Sequence, residues 1–397
     1  MEMLEGLRVL DFSNNAAGPV AASMLADYGA RVIKIERPGR GDDCRAFPPF
    51  LDGKSLAHGW FNRGKRSVTI DLTDNDGLAV VKRMIADADV LVESFRPGVM
   101  ERMGLGYSEA SAISPDIIYC SVSAFGQTGP YSRLPGYDII AQAMSGIMNI
   151  TGEADGPPMK SGVALGDLFG GVNAYGAILT ALYHRKRTGE GQHIDVSLLQ
   201  GLIWMNTTLE KVNEGSIAMR QGNHHTILCP YGLFRGANGQ SVVIAAANDK
   251  LWRKLCEAMR RPDLADNNRF LTVRDRVNNQ RELISEIEGW LGSFRDVREA
   301  AQLLNEHGVP SAKVYTNEDV AKDAHVLENG WLVEMPPADG VTSREKILTR
   351  GVNARFSKRP GSIKMAPELG EANREILRKH GLSDEQIEEL QARWNQA

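Results

Sequence analysis

Apolar and polar positions in the first half of the chain fall into two kinds of run. Short runs that alternate or cluster over four to six positions have the period of strands. Others recur every three to four residues, as on a helix. Residues 7–12, 31–36, 67–72, 89–93 and 116–122 are predicted strands, and 31–36 alternates most cleanly. Residues 18–28 have helical spacing and Gly29 stops them, while 80–86 continue a helix before the fourth strand. Strands that alternate with helices predict an α/β fold, a Rossmann-like parallel sheet with both faces covered.

The pattern changes near residue 200. Residues 198–212 read as one long helix. Two strand-like runs, 231–235 and 241–245, flank Gly236-Ala237-Asn238-Gly239, an antiparallel hairpin signal. Helical patterns then dominate from 250 to 305, which suits a smaller α+β domain. Near the end, Gly381 stops one helix, and Ser383 stands three residues before Gln386, a capping box that opens the last. The longest nearly uncharged stretch, 168–183, is too short to span a bilayer and contains Asn173, so it reads as a buried helix. Four segments follow: a large domain over 1–200, a linker helix over 201–225, a small α+β domain over 226–318, and a return linker with the C-terminal part of the large domain over 319–397.

Composition narrows the picture. Of 397 residues, 42% are hydrophobic and 24% charged, enough to bury a core. The 46 Lys and Arg against 50 Asp and Glu give a net charge of -4, which argues against a nucleic-acid surface. Cys44, Cys120, Cys229 and Cys256 form no C-x-x-C pair, so neither a disulfide scaffold nor a structural zinc site is expected. The first residues show no basic, apolar leader. A cytoplasmic protein that does not enter membranes is the expectation.

Candidate chemistry clusters at strand ends. Asp11 to Pro19 link the first strand to the first helix, where open α/β sheets bind ligands. This turn lacks G-x-G-x-x-G, and the chain lacks the phosphate loop of ATP-binding proteins. Arg37, Arg96 and Arg102 follow strand ends on one edge of the sheet. They either converge on a polyphosphate or are solvated surface charges. Asp167 stands directly before an apolar helix, between Gly166 and Gly170-Gly171. It is either a helix N-cap or a carboxylate that glycines leave open to a substrate. His224, His225 and Cys229 have no further ligands near in sequence, so no metal site is expected.

With these motifs in order, the chain resembles the class III CoA-transferase family, which includes formyl-CoA and carnitine CoA-transferases. The resemblance runs from Leu4 to about Trp394. It rests on Gly29-Ala30-Arg31-Val32-Ile33-Lys34-Ile35-Glu36-Arg37-Pro38, Asn62-Arg63-Gly64-Lys65-Arg66, and Glu93-Ser94-Phe95-Arg96-Pro97-Gly98. Phe125-Gly126-Gln127-Thr128-Gly129-Pro130, Gly166-Asp167 and Leu369-Gly370-Glu371 continue it. It implies an interlocked homodimer whose active site lies between the large domain of one subunit and the small domain of its partner. The implied substrates are an acyl-CoA and a small carboxylic acid, such as a dicarboxylate or hydroxy acid, with no permanently bound cofactor.

The resemblance also assigns residues. Asp167 matches the family's catalytic aspartate, which forms an acyl anhydride and then an aspartyl-CoA thioester. Arg37 and Arg102 match phosphate-binding positions. Asn62, Lys65, Ser94, Phe95 and Arg96 match segments around the nucleotide, and Tyr137 and Asp138 the segment beside the aspartate. Backbone amides at Gly170 and Gly171 are the expected oxyanion donors. Ala16 and Pro135 stand where formyl-CoA transferases carry glutamine and lysine, and a three-glycine loop is missing. Two alternatives share the fold: an α-methylacyl-CoA racemase and a non-catalytic CoA-binding protein. Racemases carry His-Asp where this chain has Tyr137-Asp138, and a glutamate near Asn248. A tyrosine, with an ordinary pKa of about 10, is a poor base near neutrality.

Overall fold

The first strand of the chain, Arg8–Asp11 (β1), lies in the middle of its sheet. The computed structural model describes residues 2–337 and 341–396. β1 pairs on one side with Arg31–Glu36 (β2), which pairs with Arg66–Thr69 (β3). On its other side stand Val90–Glu93 (β4), Ile118–Ser123 (β5) and Gln192–Ser197 (β6). All pairings are parallel, in the doubly wound order β3-β2-β1-β4-β5-β6.

Alternation along each strand builds two cores. Leu10, Ile33, Ile35, Leu91 and Tyr119 point to one face, where Ile376, Leu377, Ile387 and Trp394 of the C-terminal tail cover them. Val9, Val32, Val90, Val92, Ile118 and Cys120 point to the other face. It is covered by three helices, Ala17–Asp27 (α1), Leu165–Thr188 (α2) and Leu198–Met205 (α3). The expected capping box is present: Ser383 accepts the Gln386 N–H and the Gln386 side chain accepts the Ser383 N–H.

Three elements differ from the sequence reading. The sixth strand, β6, was not anticipated: it is a sheet edge whose His193 and Asp195 face outward, and with the polar Gln192 on the other side they break the apolar signal. The helix expected over 198–212 ends at Met205. There the Asn206 carboxamide oxygen accepts the Thr208 N–H at 3.1 Å and its hydroxyl at 2.8 Å, while its nitrogen donates to the Ser145 carbonyl. This side chain offers the backbone an alternative to the next helical turn. The helix over 168–183 buries only one stripe, Gly170, Gly171, Ala174, Ile178 and Ala181; Val172 and Tyr183 are exposed.

The chain divides into two compact units. One comprises Met1–Ile147, Lys160–Glu210 and Ala324–Ala397; the other comprises Met148–Met159 and Lys211–Asp323. The second unit holds a three-stranded antiparallel sheet, in which Ser241–Ala245 pairs with Tyr231–Arg235 and Ser311–Lys313. The expected hairpin turns through Asn238 and Gly239, both with positive φ. Phe234, Val242 and Ile244 pack beneath helices through Trp252, Leu255, Ile287 and Leu304. Asn248 is spent on structure: its side chain caps the helix Asp249–Met259 by accepting the Leu251 N–H at 2.9 Å. Among the described residues no helix is long and apolar enough to cross a membrane.

Candidate active site

The order in which strands are added across the sheet reverses between β1 and β4, since β2 and β3 lie to one side and β5 and β6 to the other. Loops leaving such neighbours diverge and open a crevice at the strand C-termini. Here it encloses about 600 Å³ of space open to solvent. Asn15 comes from the loop after β1, Ser94, Phe95 and Arg96 from the loop after β4, and Ser123 from the end of β5; Tyr137 completes the rim. Three residues expected at the nucleotide, Ser94, Phe95 and Arg96, therefore meet in one place with Tyr137, which was expected beside the aspartate.

A buried charge network fixes the β1 loop. The Lys34 ammonium lies 2.8 Å from Asp42 and donates to the Ser13 carbonyl at 2.7 Å. The Asp42 carboxylate accepts the Asn15 N–H at 3.0 Å, holding Asn15 in the left-handed region at φ 70. Lys65 donates to Asp11 at 2.7 Å, to the Pro19 carbonyl at 2.9 Å and to the Asn62 side chain at 2.8 Å. Burial alone would raise the Asp11 carboxyl, but Lys34 and Lys65 outweigh it and hold the group below its usual range.

This corrects the reading of Asn62 and Lys65 as ligand-facing side chains. Both are buried, with their polar atoms committed to this network, so they support the crevice from beneath. Arg63 is likewise committed, to Asp27 at 2.6 Å and to the Arg350 carbonyl. The arginines differ. Arg37 is exposed and paired with Asp43 at 2.6 Å. Arg96 and Arg102 are exposed, and among the described residues neither is paired with a carboxylate. Arg96 lines the crevice; Arg37 and Arg102 do not.

Asp167 is the third residue of α2. The N-cap position belongs to Ala164, which has no side chain to cap with. The Asp138 carboxylate does that work from another segment, accepting the Gly166 N–H at 2.6 Å and the Gln142 side-chain amide at 2.7 Å. Among the described residues Asp167 accepts no hydrogen bond. Burial pushes its carboxyl up to about 6, and the nearby Asp138 charge adds to the rise. The N-cap reading of Asp167 is thus replaced: the capping carboxylate is Asp138, and Asp167 is left free.

Gly170 and Gly171 lie in the second turn of α2, where N–H groups are taken by carbonyls four residues back. They are therefore not available as oxyanion donors. Their smallness serves packing instead: a β-carbon at Gly171 would lie 2.8 Å from the Ala17 carbonyl oxygen, and one at Gly170 2.6 Å from Leu198. Open N–H groups are found one turn earlier, at Leu165 and Asp167, where a helix has no internal partner to offer. Sequence reading did not single out Lys34 or Asp42. A lysine in mid-strand between Ile33 and Ile35 was the available signal, because buried lysines are rare unless paired.

Comparison with known proteins bears on this arrangement. Residues 4–373 match the sequence profile of CoA-transferase family III. The chain is 40% identical over 391 residues to succinyl-CoA:glutarate CoA-transferase of Mus musculus, covering 96% of this chain and 86% of that protein. It is 41% identical over 398 residues to succinyl-CoA:mesaconate CoA-transferase of Haloarcula hispanica, covering 96% and 97%. The crystal structure of a CAIB/BAIF family protein from Brucella suis superposes with a TM-score of 0.86 at 34% identity, over 96% of this chain and 99% of that one. With matches of this extent on both sequence and fold, the chain belongs to CoA-transferase family III and is a CoA-transferase.

Proposed function

We propose that the protein moves CoA from succinyl-CoA to a second small dicarboxylic acid, with Asp167 as the covalent carrier. The relatives named above act on succinyl-CoA with glutarate or mesaconate, which supports this substrate class. The observation that carries the mechanism is the state of Asp167: half-buried, free of hydrogen bonds, and with a carboxyl raised to about 6. Such a group is ionised at neutral pH yet more basic, and so a better nucleophile, than an exposed aspartate.

The steps balance without a cofactor. The Asp167 carboxylate attacks the donor carbonyl carbon, the C–S bond breaks, and CoA thiolate leaves an acyl-aspartyl anhydride. The thiolate attacks the Asp167 carbonyl; the donor acid departs as carboxylate and an aspartyl-CoA thioester remains. The acceptor carboxylate attacks that thioester and releases the thiolate. Thiolate attack on the acceptor carbonyl then forms the new acyl-CoA and regenerates Asp167. Each tetrahedral intermediate carries an oxyanion, which the positive end of α2 and its open N–H groups favour. CoA phosphates are assigned to Arg37, Arg96 and Arg102, and the nucleotide to the loop Ser94-Phe95-Arg96 with Tyr137.

The working state in this reading is an interlocked homodimer in the cytoplasm. Val172 and Tyr183 on α2, with Ile203 and Trp204 on α3, are exposed in one chain, and a second copy would cover such an apolar face. All four cysteines are free and buried, which suits a reducing compartment. The test is a matrix of acyl-CoA donors against carboxylic acids, read by mass spectrometry of the CoA products. Succinyl-CoA with a C4 or C5 dicarboxylate should be the fastest pair. A preference for monocarboxylic acids throughout would contradict the assignment.

A further inference from the structure

Five acidic side chains are buried among the described residues: Asp11, Asp27, Glu36, Asp42 and Glu93. Four are held by cations. Lys65 and Lys34 hold Asp11, Arg63 holds Asp27, Arg45 holds Glu36, and Lys34 holds Asp42. Among the described residues Glu93 has no cationic partner. A buried acid without one is costly and is normally retained for a reason.

Its position supplies the reason. Glu93 ends β4 and directly precedes Ser94, Phe95 and Arg96, three residues of the crevice wall. Its carboxylate accepts the Phe95 N–H at 2.8 Å and so sets the first bend of that loop. The next residue, Ser94, joins this loop to the opposite wall, because its hydroxyl oxygen accepts the Asn14 N–H at 2.9 Å. Behind Glu93 lies Ser121, whose hydroxyl bonds to it and also contacts His193 Nε2 at 2.9 Å. When Ser121 donates to Glu93, the imidazole Nε2–H donates to Ser121. His193 is exposed, so a hydrogen-bonded path joins the buried carboxylate to solvent.

We propose that Glu93 is a positioning residue for CoA, holding the Ser94-Phe95-Arg96 loop in its binding shape through the Phe95 amide, and that protonation of Glu93 loosens this hold. The role rests on the CoA-donor reading of the crevice. Burial pushes the Glu93 carboxyl up to about 7, and Glu101 and Asp195 push the same way, against the hydrogen bonds from Ser121 and Phe95. The other titratable groups around it are Tyr119 and Cys120 on β5 and His193 on β6, and among the described residues it forms no ion pair. An ionised acceptor makes a stronger hydrogen bond than a neutral one, so the loop should be held best above neutrality.

The test compares wild type, Glu93→Gln and Glu93→Ala by calorimetric CoA binding and by donor KM between pH 6 and 8.5. Glu93→Gln keeps an acceptor oxygen without a buried charge, so it should fold. At pH 8 Glu93→Ala should weaken CoA binding about tenfold and raise donor KM by a similar factor, with kcat changed less than about threefold; Glu93→Gln should restore most of the loss. The ratio of wild-type to Glu93→Gln affinity should fall as pH drops through 7, which cancels the titration of CoA itself. Equal affinity in all three proteins, or one pH profile shared by wild type and Glu93→Gln, would overturn the role alone. A wild type that binds no CoA would overturn the CoA-donor reading and the role with it.

Discussion

The carboxylate of Asp138 accepts the backbone N–H of Gly166 at 2.6 Å, and so caps the helix on which Asp167 sits. This relationship does two things. It removes the capping duty from Asp167, leaving that side chain unbonded. It also places a second negative charge close enough to raise the Asp167 carboxyl beyond what burial does.

Asp138→Asn separates these effects. Asparagine keeps an oxygen for the Gly166 N–H but removes the charge. The acidic limb of the pH profile of kcat/KM, expected near pH 6 in wild type, should move down by up to about one unit. Asp138→Ala should in addition cost about 1 kcal/mol of stability through the lost cap. An unmoved acidic limb in Asp138→Asn would show that Asp167 does not set it.

Asp167→Asn should abolish transfer and yet stabilise the protein. The raised carboxyl means that the folded state holds its proton more tightly than the unfolded chain. The cost of the charge is therefore fully present above pH 6, shrinks as pH falls through 6, and is gone below about 4. The asparagine variant should be more stable by about 1–3 kcal/mol at pH 8, and the gain should vanish near pH 4. Urea unfolding at the two pH values measures both ends.

Arg96 and Lys65 should behave in opposite ways, although both are cations expected at the nucleotide. Arg96→Ala should raise the donor KM by about ten- to a hundredfold with little change in kcat or stability, as loss of one charge-assisted phosphate contact does. Lys65→Met leaves Asp11 short of a buried partner and should cost about 3 kcal/mol of stability. Donor kinetics and chemical unfolding of the two variants decide this. A folded Lys65→Met enzyme with weakened CoA binding alone would restore Lys65 as a ligand contact.

Gly171→Ala reverses an ordinary expectation. In an open helix the change stabilises by about 1 kcal/mol. Here the new β-carbon would lie 2.8 Å from the Ala17 backbone oxygen, which cannot swing aside, so a loss of about 1–3 kcal/mol is expected. The melting temperature reads the sign directly.

How much of this was legible in sequence follows from physical scale. The strand 31–36 was readable to the residue because alternation and a stopping glycine are local signals. β6 was missed because an edge strand with polar outward positions carries little of that signal. Asp167 stood out through its glycine neighbours; Asp138, 29 residues earlier, was set beside it by the family resemblance alone, and its capping of the Gly166 N–H arises only when the chain folds. The same limit placed Lys65 and Asn62 at the ligand. A motif conveys that residues matter together, not whether they face a ligand or the interior. Gly170 and Gly171 show it again, since the spacing that suggests amides near a nucleophile also suits two helices in close contact.

The most direct measurement is to trap the carrier. The enzyme would be mixed with succinyl-CoA, quenched with hydroxylamine, digested and examined by mass spectrometry. A hydroxamate on Asp167, dependent on donor and absent from Asp167→Asn, is the predicted result. An enzyme that turns over under the same conditions with Asp167 unmodified, or with another carboxylate modified in its place, would contradict the account.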